Sequence, residues 1–168
     1  MALIIEDGSG VAGANSYEGL AGVRAYAADR GITLLDDPTV TAQLIIACDY
    51  LESFSDQYVG RPTSFTQSLS WPRSSVQFDP DNPFPDNEIP IALIQAQDEA
   101  VIAQFQGVVL QPNVDYSSGG FIIEEKVDVL LTKFSERIGT TSQPQLAKVM
   151  SRLKGLLNPA VSLRTVRV

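Results

Sequence analysis

The sequence predicts a mainly α-helical fold, a small helical bundle with a β-hairpin and a long proline-rich loop. Four stretches carry apolar residues at helical spacing. Six of the ten prolines fall between residues 59 and 90. Because proline fixes φ and removes a backbone donor, that stretch is neither regular helix nor central strand. The chain of 168 residues has the length of one domain, so we expect a single domain over residues 1–168.

Residues 1–14 are expected to form a flexible N-terminal arm. Their glycine-rich turn, GSGVAG, superficially resembles a phosphate-binding loop, but it lacks a full preceding strand and a following Lys-Ser/Thr pair. A first helix is predicted from about Ser16 to Asp29. Either Asn15 or Ser16 accepts a hydrogen bond from the first free amides of that helix, and Gly31 supplies its stop.

The second helix has the clearest pattern in the chain. Asp37 is its predicted cap, and Pro38 takes the first helical position. Its apolar face is formed by Val40, Leu44, Ala47, Cys48, Leu51 and Phe54. The carboxylates of Asp49, Glu52 and Asp56 fall largely on the opposite side, where we expect a solvated acidic face.

A third helix is predicted from Ile91 to Gln106, directly after Pro90. It closes a helical core over residues 15–106, which includes the long loop at residues 59–90. A loop of this length in a compact domain usually has a function or serves as an interaction surface. We therefore expect residues 59–90 to matter for more than connection.

The C-terminal part is predicted to contain strands as well as a helix. Residues 107–157 hold a hairpin, with strands near 121–126 and 129–135, and a last helix from Gln145 to Leu156. The tail at residues 158–168 alternates apolar and polar residues imperfectly. It is a candidate strand for addition to a neighbouring subunit.

The composition argues against catalysis. The chain contains no histidine, which removes the commonest general base and metal ligand. Its single cysteine, Cys48, excludes an internal disulfide. The sequence contains no recognisable nucleophile–base pair, metal-ligand cluster or phosphate loop. We therefore expect that the protein is not an enzyme and binds no cofactor or metal. The N-terminus lacks the features of a signal peptide, and no apolar run approaches the roughly 20 residues that cross a bilayer, so we expect cytoplasmic synthesis and no membrane partner.

Charge is distributed unevenly along the chain. Residues 1–125 carry four basic and eighteen acidic residues, a net charge of −14, and residues 126–168 carry eight basic and two acidic residues, a net charge of +6. This asymmetry suggests contacts between subunits or docking of the basic end onto an acidic partner; the alternative is that both parts are solvated surface. The residues predicted to dock are Arg152, Lys154, Arg164 and Arg167.

The stretch from Tyr58 to Arg73, YVGRPTSFTQSLSWPR, is the most distinctive segment and contains the only tryptophan. Its marked residues are Tyr58, Gly60, Arg61, Trp71, Pro72 and Arg73. We expect Trp71 to pack on the helices with its indole N–H hydrogen-bonded, and Pro72 to fix the turn that follows. The two arginines are expected to pair with Asp49 or Glu52. Two alternatives stay open: the arginines cross a subunit interface, or Trp71 and Tyr58 stack on bases.

Several phrases follow one another in a recognisable order over residues 1–106. They are MALIIEDGSGVAGANSY, then Ala47 with Asp49-Tyr50-Leu51, then Tyr58, Gly60-Arg61, Gln67, Leu69 and Trp71-Pro72-Arg73, and finally Ile89-Pro90 with Ala92. In this order they resemble a family of phage proteins described as DnaT-like single-stranded-DNA-binding proteins. After residue 107 the resemblance fades.

These proteins are similar to head–tail connector (adaptor, or head-completion) proteins of long-tailed phages. The resemblance implies a structural virion protein, one subunit of a homo-oligomeric ring that is commonly a dodecamer. Such a ring binds the portal protein on one side and the next neck or tail-completion protein on the other, and double-stranded DNA passes through it without sequence recognition. It lies in the neck of the virion and, during assembly, in the host cytoplasm.

The alternative function is that of a single-stranded-DNA-binding protein. A groove that binds a strand needs basic side chains along the backbone path and aromatic side chains for stacking. The region that carries the resemblance is strongly acidic. Only the C-terminal third supplies a run of basic residues, through Lys148, Arg152, Lys154, Arg164 and Arg167.

Overall fold

The computed structural model describes residues 2–79, 81–111, 124–127, 130–133 and 146–158. The chain divides into two compact units, one formed by residues 1–110 with 145–168 and the other by residues 111–144. Within the described residues there are four helices and three two-stranded antiparallel sheets, so the predicted mainly α-helical class is confirmed. The prediction of one domain over residues 1–168 stays a prediction.

Along the chain, two helices are followed by four short strands, a third helix, two strands and a fourth helix. The helices are α1 (Leu20–Ala28), α2 (Asp37–Glu52), α3 (Ile91–Phe105) and α4 (Ala147–Leu153). The strands are β1 (Arg61–Pro62), β2 (Arg73–Ser74), β3 (Gln77–Asp79), β4 (Asn82–Pro83), β5 (Glu124–Val127) and β6 (Leu130–Lys133). Each strand pairs with its neighbour in sequence, as β1 with β2, β3 with β4 and β5 with β6.

The core lies where α3 packs against α1, α2 and α4. The predicted apolar face of α2 is confirmed, because every one of its members is buried. Helix α3 buries Leu93, Ala96, Ala100 and Val101 over its first three turns. Full burial of a large aliphatic side chain contributes roughly 1.5–3 kcal/mol, so these two helices supply much of the stability.

The prediction that α1 begins at Ser16 is wrong, because α1 begins at Leu20 with Gly19 as its N-cap. Ser16 lies instead in an extended bridge with Ile5, and its carbonyl accepts a hydrogen bond from the amide of Glu6 at 2.8 Å. The amide of Tyr17 donates to Gln97 Oε1 at 2.9 Å. These tertiary bonds hold residues 16–17 out of the helix.

The prediction of a flexible arm is also wrong for residues 2–14. The Glu6 side chain is buried, and its carboxylate accepts hydrogen bonds from the amides of Gly8, Gly10 and Val11 at 2.8–2.9 Å. The glycine-rich turn therefore does wrap around an anion, as successive backbone amides often do. The anion is a carboxylate of the chain itself.

The start of α2 differs slightly from the prediction. The N-cap is Asp36, and Asp37 is the first residue of the helix. Asp36 Oδ1 accepts a hydrogen bond from Thr39 Oγ1 at 2.8 Å, while Asp37 pairs with Arg24 at 2.7 Å and so joins α2 to α1. A carboxylate in the first turn also has a favourable interaction with the positive end of the helix dipole.

The proline-rich loop contains two short hairpins. In β1–β2, Arg61 lies opposite Ser74 and Pro62 opposite Arg73. In β3–β4 the register shifts between Gln77 and Asp79. The loop is therefore ordered by backbone pairing at strands of two or three residues, and its prolines prevent longer strands.

The predicted C-terminal hairpin is confirmed as β5–β6, with Glu124 opposite Lys133 and Val127 opposite Leu130. Helix α4 is shorter than predicted, since Leu146 is its N-cap and Lys154 its C-cap. Beyond it, the Val59 amide donates to the Leu156 carbonyl at 2.9 Å. The predicted tail strand over 159–168, with Arg164 and Arg167, lies outside the described residues.

Candidate functional site

Trp71 lies at the centre of the core. Its side chain is fully buried and makes edge-to-face contacts with Tyr58, at a centroid distance of 6.0 Å, and with Phe84, at 6.2 Å. The Trp71–Pro72 peptide bond is cis. The prediction that Trp71 packs as a core residue is confirmed. Because Tyr58 is buried as well, neither ring has a face available for stacking on bases.

The indole N–H of Trp71 does not have the hydrogen-bond partner that we predicted. Its Nε1 atom is buried and has no acceptor within the described part of the chain. The neighbours that enclose the indole include the rings of Tyr58 and Phe84, which supply apolar contact and no carbonyl or carboxylate oxygen. The backbone amide of Trp71 does have a partner, the hydroxyl oxygen of Tyr17 at 3.2 Å.

Arg73 is a buried structural residue. Its guanidinium donates to main-chain carbonyls, with Nε 2.8 Å from the Val59 oxygen and Nη2 3.0 Å from the Gly60 oxygen. The longer bonds go to the carbonyls of Ser70 and Tyr58. Burial lowers the pKa of Arg73. The predicted pairing with Asp49 or Glu52 is wrong for Arg73, and burial removes its side chain from any subunit interface.

Glu52 is not part of a solvated acidic face, which corrects another prediction. One carboxylate oxygen accepts a hydrogen bond from the Tyr17 hydroxyl at 2.5 Å. The other accepts from the amide and the hydroxyl of Ser70, at 2.8 and 2.6 Å. Burial, and then the charge of Glu52, raise the pKa of Tyr17 well above its ordinary value. Glu52 thus joins the end of α2 to the segment that enters the core at Trp71.

The loop between β1 and β2 is braced from inside by Gln67. Its side-chain oxygen accepts hydrogen bonds from Thr63 Oγ1 at 3.0 Å and from the Ser64 amide at 2.9 Å. Its side-chain nitrogen donates to the carbonyls of Leu69 at 2.7 Å and Pro72 at 3.1 Å. One side chain therefore ties both arms of the loop together, and the loop keeps its shape without an apolar core of its own.

Phe65 lies at the outer end of this braced loop and is completely exposed, at 109% relative accessibility. Leaving a phenylalanine in water forgoes the roughly 1.5–3 kcal/mol that burial would contribute, so the position is unfavourable for folding alone. Phe65 was not among the residues predicted from the sequence to have a role. The sequence feature that could have identified it is a single aromatic residue in a run rich in serine and threonine, TSFTQS, with no apolar neighbour at strand or helix spacing.

Phe65 and Arg61 border the same open groove, which has a volume of about 440 Å³. Its remaining lining residues are Glu52, Ser55, Pro62, Ser64, Gln67, Ser68, Leu69 and Ser70. Arg61 is exposed and, in contrast to our prediction, forms no ion pair with a described residue. The groove thus combines one exposed ring, one exposed cation and several hydroxyl groups.

Gly60 explains how Arg61 comes to face this groove. Its φ of +71° is one that L side chains rarely adopt, and a Cβ there would lie 2.5 Å from the Ser74 carbonyl oxygen. The backbone therefore turns tightly at Gly60 and enters β1 at Arg61. Of the six marked residues of the Tyr58–Arg73 segment, Tyr58, Trp71, Pro72 and Arg73 are buried and Gly60 makes the turn, which leaves Arg61 as the one with a side chain exposed to solvent.

The basic residues of α4 are exposed. Lys148, Arg152 and Lys154 are open to solvent, and Lys148 Nζ lies 3.9 Å from a carboxylate oxygen of Glu99. None of the three lines the groove beside Phe65. The structure therefore does not bring the predicted docking residues Arg152 and Lys154 together with Arg61.

Neither a metal site nor a membrane span is found in the part of the chain that the structure describes. No group of three or more acidic, cysteine or histidine side chains there is arranged to hold a metal ion. No described helix combines the length and the apolar character that a membrane crossing requires. The Cys48 thiol is buried in the core, and its pKa is raised by that burial.

Comparison with protein-family models gives a match over the whole chain. The model of the family described as "Putative DnaT-like ssDNA binding protein" matches residues 1–168, the whole chain. No curated protein and no solved structure matches significantly. The family match includes the residues after 107, beyond the sequence phrases that carry the resemblance. The chain therefore belongs to this DnaT-like family.

Proposed function

We propose that this protein binds single-stranded DNA without catalysing a reaction on it. Membership of a family described by ssDNA binding supports the proposal. The observation that carries it is the fully exposed ring of Phe65, held on a loop that Gln67 braces and bordering the same groove as Arg61. Proteins that bind single strands combine these two groups: the aromatic ring stacks on a base and the cation contacts a phosphate.

The expected preference is for single strands over duplex. Stacking on an aromatic side chain needs the open face of a base, and a base inside a duplex is already stacked on both sides. Base–aromatic stacking contributes about 1–3 kcal/mol and tolerates any base, because every base has a π-face. A ring that the loop already holds in place loses little conformational freedom on binding.

The acidic body limits the electrostatic part of the affinity. Carboxylates outnumber basic residues in residues 1–125 by eighteen to four, and these carboxylates repel the phosphate backbone. The net positive charge of residues 126–168 opposes that repulsion. Binding by one copy is therefore expected to be weak and to depend modestly on salt, unlike that of a basic single-strand-binding protein.

Fluorescence anisotropy tests this proposal directly. A labelled oligonucleotide of mixed sequence is titrated with the protein as a single strand and, separately, annealed to its complement, at several salt concentrations. We expect the single strand to bind more tightly than the duplex at every salt concentration. Absence of binding to the single strand at low salt, or equal binding to both forms, would contradict the proposal.

A second candidate function is supported by the charge distribution. We propose as the alternative that the chain is a subunit of the phage neck, in a homo-oligomeric ring that is commonly a dodecamer. An acidic body suits a passage through which double-stranded DNA slides without binding, and a basic C-terminal end suits docking onto a neighbour. Its partners would be the portal protein and the next neck or tail-completion protein, in the virion neck after assembly in the host cytoplasm.

Mass measurement separates the two candidate functions. The neck role predicts a ring by electron microscopy and native mass analysis, either for the protein alone or after addition of its portal protein. It also predicts that removal of residues 159–168 weakens this docking and leaves helix content unchanged. A strict monomer under both conditions, or loss of helix content in the truncated protein, would argue against the neck role.

A further inference from the structure

We propose that the groove beside Phe65 is a site for one unpaired nucleotide per protein copy. The base stacks on the Phe65 ring, and the adjoining phosphate contacts the Arg61 guanidinium. This inference rests on the proposed single-strand binding and makes it specific to a site, a ligand size and two side chains.

The size of the groove favours a single nucleotide. At about 440 Å³ it lies near the lower end of the range for small-molecule sites, which is roughly 300–1,000 Å³. Proteins that follow a strand over many nucleotides use a long basic channel with several aromatic platforms. The described groove is bordered by one aromatic ring and one cation, so it has the components for one base and one phosphate.

Phe65 is distinguished from the other exposed phenylalanines of the described chain by its complete exposure, at 109% relative accessibility. Phe78, which is 47% exposed, packs edge-to-face on Phe84 with a centroid distance of 5.2 Å. Phe105 is 37% exposed at the end of α3. Phe65 has no aromatic contact within the described residues, so both faces of its ring are open for a base.

Arg61 differs from the other arginines of residues 1–111 because each of the others is held by a described partner. Arg24 pairs with Asp37, Arg30 lies 3.6 Å from Glu99, and Arg73 is occupied by carbonyl oxygens. Arg61 is thus the arginine in residues 1–111 of the described chain whose guanidinium is open to a phosphate. The carboxylate of Glu52, which also lines the groove, is already hydrogen-bonded by Tyr17 and Ser70.

Ser68 offers a polar contact for the base edge. Its Oγ accepts a hydrogen bond from the Gly13 amide at 2.7 Å, which fixes the position of the hydroxyl. A hydroxyl that accepts through a lone pair can still donate its proton. Carbonyl oxygens and ring nitrogens of bases accept such a proton, so Ser68 adds a contact that does not select strongly among bases.

Three variants of the 168-residue chain test the site by anisotropy with a labelled single strand. Phe65→Ala is expected to weaken binding about 5- to 150-fold, the loss of one stacked base. Arg61→Gln is expected to reduce the slope of log K against log salt by about 0.7, the value for one phosphate on a single strand. The matched control is Phe78→Ala, which removes an exposed ring outside the groove and should leave the affinity unchanged.

Phe65→Trp provides a direct readout of stacking. Its new indole is expected to be quenched by a single strand, and the native Trp71 fluorescence of the unsubstituted protein, which comes from a buried ring, should change little. Circular dichroism checks that each variant folds; since Phe65 packs on nothing, its substitution should not alter the spectrum.

The outcomes distinguish a failure of the proposed site from a failure of the proposed function. If the unsubstituted protein does not bind single strands, the proposed function fails and the site fails with it. If it binds and Phe65→Ala binds equally tightly, the function stands and the site is refuted. Unquenched Phe65→Trp fluorescence at saturating strand also refutes the site.

Discussion

Glu52 and Ser70 are eighteen positions apart in sequence and share two hydrogen bonds, in which one carboxylate oxygen accepts from both the amide and the hydroxyl of Ser70. The other oxygen accepts from Tyr17. Through these bonds the C-terminal end of α2 positions the residue that precedes Trp71. The fold therefore depends at this point on a charged side chain that the helical pattern alone would assign to the surface.

Substitution of Glu52 by alanine is expected to lower the free energy of unfolding by about 2–4 kcal/mol. Three hydrogen bonds to a charged acceptor are lost, and the Ser70 amide is left without its partner. The matched control is Asp49→Ala, an exposed carboxylate on the same helix, with an expected change within about 0.5 kcal/mol. Urea denaturation followed by circular dichroism gives both values. Equal effects of the two substitutions would show that the Glu52 contacts add little.

The Glu6 carboxylate should keep the backbone of the glycine-rich turn ordered. Glu6→Gln keeps the side-chain shape but puts an NH2 donor in place of one acceptor oxygen, so either the Val11 amide or the amides of Gly8 and Gly10 lose their acceptor. We expect the free energy of unfolding to fall by about 1–3 kcal/mol. Hydrogen exchange of these three amides should accelerate.

Asp7 provides the control for Glu6. It is the next residue, it is exposed, and its carboxylate accepts a hydrogen bond from the Ser9 amide. Asp7→Asn should leave exchange at Gly10 and Val11 unchanged. If Glu6→Gln also leaves these amides protected, the turn is held by its contacts with the rest of the protein and not by the Glu6 carboxylate.

The sequence was sufficient to predict the helices whose burial follows from local pattern. For α2 and α3, a proline at the start and a regular apolar face identify both the element and its buried side. It was not sufficient for the polar groups of the core. Gln97 is fully buried and bonds to Ser16, Tyr17 and Leu44, which lie 53 to 81 positions away. No local pattern encodes such contacts, so Gln97 reads as an ordinary helical residue.

The candidate site was predictable only in part, because the contacts that decide it are also tertiary. Trp71 and Phe65 are both aromatic residues in one polar segment, and the sequence attracts attention to Trp71 because it is the only tryptophan. The structure buries Trp71 and exposes Phe65. Which ring faces water depends on the bonds of Gln67 and Glu52 across the loop, and these are tertiary. The segment was correctly identified as distinctive and the packing of Trp71 was predicted, but the exposed position of Phe65 was not.

Asp98 should make stability depend on pH near neutrality. It is 2% exposed, and its Oδ1 has no hydrogen-bond partner within the described residues. Burial raises the pKa of Asp98 from 3.8 to about 7. The charges of Glu18 and Glu99 add to this increase, and the charge of Arg30 opposes it. Between these two values the folded protein holds a proton that the unfolded chain releases. The contribution of Asp98 to stability is therefore complete below about pH 4 and is lost as the pH rises to about 7.

The measurement compares Asp98→Asn with the unsubstituted protein in urea at pH 5 and at pH 8. Asparagine keeps the shape of the side chain and carries no charge at either pH. At pH 8 the variant should be more stable by up to a few kcal/mol, and this advantage should shrink at pH 5. A stability difference that is the same at both pH values would show that Asp98 does not titrate in this range.

The last prediction concerns Arg73, whose buried guanidinium donates to the carbonyls of Val59 and Gly60, just before β1, and of Ser70 within the β1–β2 loop. Arg73→Lys retains the charge but cannot reproduce the planar array of donors, so several carbonyls lose their partner inside the core. We expect the free energy of unfolding to fall by about 2–4 kcal/mol. Arg61→Lys, on the exposed strand opposite, should change it by less than about 0.5 kcal/mol. Urea denaturation at neutral pH measures both. A loss below about 1 kcal/mol for Arg73→Lys would mean that the charge of Arg73, rather than its geometry, holds the segment in the core.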